Sequence, residues 1–115
     1  MKILIVDDEK MIRELLKMYC EMKKFDFTTA TNGEDAKEII SLYSLEIPFD
    51  IIITDVDMPK MGGISLSEWV KNNYPKVPII LMSGRSEPER HRADAFMQKP
   101  LDFKKLTCLV EELTK

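Results

Sequence analysis

Two stretches decide the fold: Lys2-Ile-Leu-Ile-Val-Asp-Asp8 and Asp50-Ile-Ile-Ile-Thr-Asp55. Each is a short apolar run that stops on acid. The triplet Ile51-Ile-Ile53 is uninterrupted and β-branched, as a central parallel strand covered on both faces requires. If the two strands lie side by side, Asp7, Asp8 and Asp55 converge at the C-terminal edge of the sheet, where open α/β sheets place their ligands. Three close carboxylates repel one another, so a hard divalent cation such as Mg2+ is the expected resident.

Working outward, the hydrophobic period alternates between strand and helix. Ile12, Leu15, Leu16, Tyr19 and Met22 recur at helical spacing, which predicts an amphipathic helix over 9–24. A short strand is predicted over 25–30, then a turn at Thr31-Asn32-Gly33 and a helix marked by Ala36, Ile39, Ile40 and Tyr43. A third helix covers 64–73, with Leu66, Trp69 and Val70 inward. A fourth strand covers 77–82, where Pro78 is tolerable at the start. Residues 95–98 read as a short fifth strand, and Phe103, Leu106, Leu109, Val110 and Leu113 as a closing helix. Alternation of this kind implies a doubly wound parallel sheet, an α/β fold, with right-handed crossovers. No linker, repeat or low-complexity stretch interrupts residues 1–115, so a single domain is expected.

Composition agrees with that class. The 115 residues suit one core, and the 44% hydrophobic share is ordinary for a globular chain. A net charge of −3 argues against a surface dominated by nucleic-acid binding. No apolar run is long enough to span a bilayer, and the apolar N-terminus reaches Asp7 too soon for a signal peptide. The reading is a cytoplasmic protein. Cys20 and Cys108 lack metal-ligand spacing and each falls in a predicted helix, so two reduced thiols are expected.

The ordered set is what becomes recognisable. It comprises Asp7-Asp8 after the first strand and Asp55 followed by Met58-Pro59-Lys60-Met61-Gly62-Gly63. Ser83-Gly84 after the fourth strand and Lys99-Pro100 after the fifth complete it. Together these resemble the receiver domain of two-component response regulators, over essentially the whole chain. The resemblance implies a flavodoxin-like strand order, 2-1-3-4-5. It also implies that Asp55 accepts a phosphoryl group from a sensor histidine kinase or histidine phosphotransfer protein, switching affinity for a downstream effector. A carboxylate is a feeble nucleophile, so such a transfer depends on positioning and charge neutralisation. By the same resemblance Asp8 binds Mg2+ directly and Asp7 mainly through water, with Asp55 and the backbone carbonyl of Asp57 completing the protein ligands. Lys99 places an ammonium on the phosphoryl oxygens, Ser83 donates its hydroxyl to another, and Gly84 leaves the approach to Asp55 open. The Lys99-Pro100 peptide is often cis in this pattern. Phe96 matches the aromatic that acts as a conformational switch, packing inward as Ser83 moves. Such a module takes part in its own phosphorylation and dephosphorylation without turning over an external substrate. It binds neither nucleic acid nor membrane directly. With no output segment after Lys115, a stand-alone receiver or one excised from a longer regulator is expected.

Plainer roles fit several residues taken singly. Asp7 or Asp8 suits a helix cap. Ser83 suits a turn, and Lys99-Pro100 a rigid strand end. His91, among Arg85, Glu87, Glu89, Arg90 and Arg92, reads as solvated. Met11, Met18, Met22, Met82 and Met97 read as core filler or its margin. Asp55-Val56-Asp57 also resembles the nucleophile motif of haloacid-dehalogenase-type phosphatases. That family usually lacks the upstream acid pair and needs a further acidic motif and a larger sheet than the residues after Asp57 supply. A receiver fold kept only as an interaction module, its site inactive, is the remaining alternative. One departure from the receiver pattern is substantial. The interval from Ser83 to Lys99 is short by roughly one and a half helical turns. The fourth helix is therefore predicted to be a single turn, disordered or missing.

Overall fold

The computed structural model describes residues 1–43 and 46–115. Among the described residues are five strands and four helices, alternating except that β5 follows β4 directly: β1 (Lys2–Val6), α1 (Lys10–Lys23), β2 (Asp26–Ala30), α2 (Gly33–Ser41), β3 (Ile51–Asp55), α3 (Gly63–Asn73), β4 (Ile79–Ser83), β5 (Ala95–Gln98) and α4 (Phe103–Leu113). All strand pairs are parallel, in the order β2-β1-β3-β4-β5. The apolar runs read as central strands are buried throughout β3 and β4 because helices cover both faces.

Period-two alternation divides the core. Ile3, Ile5, Ile51, Ile53, Ile80, Met82 and Met97 face α1 and α4, where Leu16, Tyr19, Cys20, Leu106 and Val110 meet them. Leu4, Val6, Ile52 and Ile79 face the opposite way, onto Ala36 and Ile40 of α2 and Leu66 and Val70 of α3. Local chemistry sets the helix starts. Asn32 caps α2 by accepting from the Asp35 amide at 2.9 Å, and Asp102 caps α4 by accepting from Lys104 and Lys105. β4 begins two residues later than the apolar run suggests. Pro78 has no amide to give the ladder, and only its carbonyl takes part, accepting from Ile52.

Residues 84–94 carry no helix, as the short interval predicts. A parallel crossover normally needs a helix to return across the sheet. Here the segment is held instead by polar contacts at the far edge. Asp94 accepts from the Ile79 amide at 2.8 Å and pairs with Lys71 of α3 at 2.7 Å, while its own amide donates to the Ile79 carbonyl. Lys71 also donates to the Val77 carbonyl, and Arg92 donates to Asn72.

Several packing expectations are corrected. Met82 and Met97 are core residues, but Met11, Met18 and Met22 are 74%, 54% and 66% exposed. The helix turns Ile12, Leu16, Tyr19 and Cys20 onto the sheet, and at 3.6 residues per turn the three methionines fall on the outer flank. His91 is not solvated. Its side chain is only 10% exposed and pairs with Glu87 at 2.7 Å, because an irregular segment lacks the helical period that would carry the ring outward. Phe96 is half-buried, on the sheet face opposite Ala95 and Met97. Cys20 and Cys108 are both free thiols, Cys20 buried and Cys108 exposed.

Candidate functional site

Strand register assembles the site. Val6 pairs with Thr54, so Asp7 emerges alongside Asp55; Asp55 pairs with Met82, one residue before Ser83. Ser83 pairs with Gln98, one residue before Lys99. Four strands thus deliver their terminal residues to one edge, as the sequence predicts. The Lys99–Pro100 peptide is cis.

The β3–α3 loop returns tightly over the end of β3. The Gly63 amide donates to the Val56 carbonyl at 2.9 Å, and Lys60 adopts a left-handed conformation with φ of 66°. A Cβ on Gly62 would stand 2.6 Å from the Val56 carbonyl oxygen, and one on Gly63 would run into the Asp55 carbonyl oxygen. Only glycine permits this approach.

Asp7 is fully buried, and each of its polar groups is used. One carboxylate oxygen accepts from the Glu9 amide at 2.8 Å, the other from Lys99 Nζ at 3.1 Å, and the backbone carbonyl accepts from Arg13 Nη1 at 2.9 Å. Asp7 is therefore not the cap of α1, since Glu9 holds the cap position and no side chain caps that helix; one Asp7 oxygen fixes the backbone at Glu9 and the other faces Lys99. Asp55, 5% exposed, lies 3.3 Å from Lys99 Nζ and accepts from the Val56 amide. Asp8 is exposed. Asp7, Asp8 and Asp55 each offer an oxygen, all within 4.8 Å of one another. Ser83 is buried, and its Oγ accepts from the Arg85 amide at 3.0 Å, which leaves the hydroxyl proton free to be donated. The space beside Gly84 is open, with nothing within 4 Å of where a Cβ would stand.

The electrostatics are those of an acid cluster short of cations. Burial, followed by the charge of Asp7, pushes the Asp55 carboxyl up to about 6 against the opposing pull of Lys99. Burial likewise raises Asp7, partly offset by the Glu9 amide and Lys99. Burial pulls Lys99 down, yet Asp7 and Asp55 together outweigh it and leave the ammonium more firmly protonated than usual. One buried lysine cannot balance three carboxylates. The donor set is all hard oxygen, so these residues fit Mg2+, which accepts few protein ligands and keeps several waters.

Three contacts escape sequence reasoning. Arg13 holds the Asp7 carbonyl from the first turn of α1, and Glu9 approaches Lys99 at 3.6 Å. Arg85 pairs with the Asp57 carboxylate at 2.7 Å. None has a spacing signature, although basic residues beside an acidic sheet edge could have drawn notice.

Comparison with known proteins agrees with the geometry. A family model described as the response regulator receiver domain matches residues 3–111. The transcriptional regulatory protein SrrA of Staphylococcus aureus (strain NCTC 8325 / PS 47) is 33% identical over 121 residues, covering 99% of this chain and 48% of SrrA. The chain spans about half the length of the curated relatives it matches. Among solved structures, the receiver domain of a signal transduction histidine kinase from Syntrophus aciditrophicus superposes with a TM-score of 0.87 at 32% identity, covering 98% of this chain and 89% of that one. The response regulator TrrA of Thermotoga maritima, solved in complex with Mg2+ and BeF, superposes with a TM-score of 0.86 at 30% identity, covering 97% of both chains. The acid cluster at the edge of a five-stranded parallel sheet and the match over 3–111 agree: the chain belongs to the response regulator receiver domain family, a family of signalling modules.

Proposed function

We propose that Asp55 accepts a phosphoryl group from a phosphohistidine on a sensor histidine kinase or histidine phosphotransfer protein. The observation that carries this reading is the placement of Lys99 between Asp7 and Asp55, with Ser83 at the neighbouring strand end. In the transfer, an Asp55 carboxylate oxygen bonds to phosphorus as the phosphorus–nitrogen bond to the donor imidazole breaks, and the leaving imidazole keeps the electron pair. Asp7, Asp8, Asp55 and the Asp57 carbonyl would hold Mg2+, and TrrA's complex with that ion supports the assignment. When bound, the ion supplies charge neutralisation at the phosphoryl oxygens.

The chain's own residues do the rest. Asp7, hydrogen-bonded to Glu9 and Lys99, is fixed before the donor arrives. Lys99 can exchange its 3.3 Å contact with Asp55 for a phosphoryl oxygen, and Ser83 can donate its free hydroxyl proton to another. Moving Ser83 alters the end of β4, and Phe96 lies beside that strand, paired in register with Leu81. Phe96 is the residue we assign to relay the change to a downstream effector. With no helix between β4 and β5, that output falls to residues 84–94 and the β4–β5 edge. The domain acts as a switch in the cytoplasm and not as an enzyme on external substrate. Among the described residues no helix is long and apolar enough to cross a membrane.

The test is intact mass after incubation with Mg2+ and acetyl phosphate, alongside Asp55→Asn and a chelated control. One phosphoryl addition that vanishes in both controls is expected. No addition to a chain shown separately to bind Mg2+ would favour the interaction-module reading.

A further inference from the structure

Of the three clustered acids, Asp8 is the one that its own side chain leaves unheld. It is exposed, and among the described residues no hydrogen bond or ion pair engages its carboxylate, whereas Asp7 and Asp55 are buried and each meets Lys99. Its position is set through the backbone instead. The peptide before Asp8 is pinned at its carbonyl, the Asp7 oxygen, which accepts from Arg13 Nη1 at 2.9 Å. The peptide after it is pinned at its N–H, the Glu9 amide, which donates to an Asp7 carboxylate oxygen at 2.8 Å. With both flanking peptide planes fixed, the two backbone dihedrals of Asp8 are fixed, and with them the direction in which its side chain leaves the chain. The Asp7 amide donates to the Ala30 carbonyl and the Arg13 amide to the Glu9 carbonyl, so this turn is tied to β2 on one side and to α1 on the other. The charge of Arg13 works the opposite way, since a guanidinium beside an acidic site repels a divalent cation.

We propose that Arg13 is a positioning residue for Mg2+: by holding the Asp7 carbonyl it presents Asp8 in the orientation the ion requires, and this outweighs the repulsion that its charge exerts. The inference rests on Asp8 being a ligand of the ion, as in the function proposed above. Mg2+ demands near-ideal octahedral geometry, so a carboxylate whose backbone is free to turn binds it poorly. A bond from a charged donor is stronger than one between neutral groups, which suits a turn lodged among mutually repelling carboxylates. Groups that orient the ligands of a metal typically change its affinity by roughly 10- to 100-fold when removed. Here Lys99 and the Glu9 amide still hold Asp7 when Arg13 is gone, so the effect expected is at the lower end, ~10-fold.

The sign of the change separates position from charge. Mg2+ is titrated by calorimetry into the parent, into Arg13→Met, which keeps the apolar stem of the side chain, and into Arg13→Gln, which is gentler on the fold. Both variants are expected to bind the ion ~10-fold more weakly, and Arg13→Lys, which keeps a charged donor, to stay within about threefold of the parent. Loss of the charge alone predicts the reverse, tighter binding. In an Asp8→Ala background Arg13→Gln should have no effect or tighten binding, a result that general loosening of the fold would not give. The initial rate of phosphorylation by acetyl phosphate, followed against Mg2+ concentration, should show a half-saturating concentration raised ~10-fold with the saturated rate within about twofold of the parent's. Mg2+ affinity in Arg13→Met and Arg13→Gln equal to or tighter than the parent's overturns the proposal and leaves Asp55 as phosphoacceptor untouched. A parent that binds Mg2+ but takes up no phosphoryl group overturns the phosphoacceptor reading, and the calorimetric comparison still decides this one.

Discussion

Replacing Asp55 with Asn is expected to stabilise the metal-free protein. Asp55 is buried beside Asp7 with one lysine between them, and its carboxyl is pushed from an ordinary 3.8 to about 6. A tenfold change in acidity corresponds to about 1.4 kcal/mol, so ionising Asp55 in the folded state costs about 3 kcal/mol more than in the unfolded chain. Asparagine keeps the shape and removes the charge, but takes one partner from Lys99. A net gain of roughly 1–3 kcal/mol is expected, or a rise in Tm of roughly 5–10 °C for a domain of this size. The sign with pH is specific. Between about pH 4 and pH 6 the folded parent holds more protons than the unfolded chain, so its stability falls as pH rises through that window. The advantage of Asp55→Asn is therefore full above about pH 6 and shrinks toward pH 4, where the parent carboxyl is already protonated. Urea denaturation in chelator at about pH 4.5 and about pH 7.5 measures it. A gain of equal size at both values, or none at the higher, would refute the idea that burial and Asp7 set the energy of Asp55.

Three further outcomes rest on the same geometry. Lys99→Ala should cost roughly 1–3 kcal/mol in chelator, because buried Asp7 and Asp55 lose their shared cation, with part of the loss recovered by Mg2+. Thermal melts with and without the ion check it, and a loss no larger than that of exposed Lys104→Ala would contradict it. Asp94→Ala should cost roughly 1–3 kcal/mol and raise amide exchange at Ile79, since Asp94 satisfies that amide and pairs with Lys71. Unchanged exchange there would mean that the crossover is anchored elsewhere. Gly63→Ala should destabilise by roughly 1–3 kcal/mol or more and weaken Mg2+ binding, because the added methyl meets the Asp55 carbonyl. Calorimetric Mg2+ affinity equal to the parent's would show that the loop can yield without disturbing Asp55.

How much is legible in the unfolded chain depends on the range of the interaction. The β3 and β4 runs are readable because a strand covered on both faces must be apolar at nearly every position, a local requirement written in consecutive residues. The absence of a helix between β4 and β5 is readable for the same kind of reason, since the interval between Ser83 and Lys99 is shortened. Periodicity is less reliable on α1. Met22 sits at helical spacing from Leu15 and Tyr19, yet the arc that reaches the sheet is narrower than the apolar arc of the helix, and Met22 stays outside it. His91 fails differently, because a charged neighbourhood in the chain says nothing about which way an irregular segment folds its ring.

By itself, then, the sequence determined the alternation of strand and helix and the identity of the acids, hydroxyl and lysine at the strand ends, because each depends on a residue's own chemistry and its near neighbours. Only the tertiary structure decided that Lys99 stands between Asp7 and Asp55, that Arg13 secures the Asp7 carbonyl and that Arg85 meets Asp57. Those contacts join segments brought together by sheet register, and their energies depend on burial, which no residue possesses until the rest of the chain has packed around it.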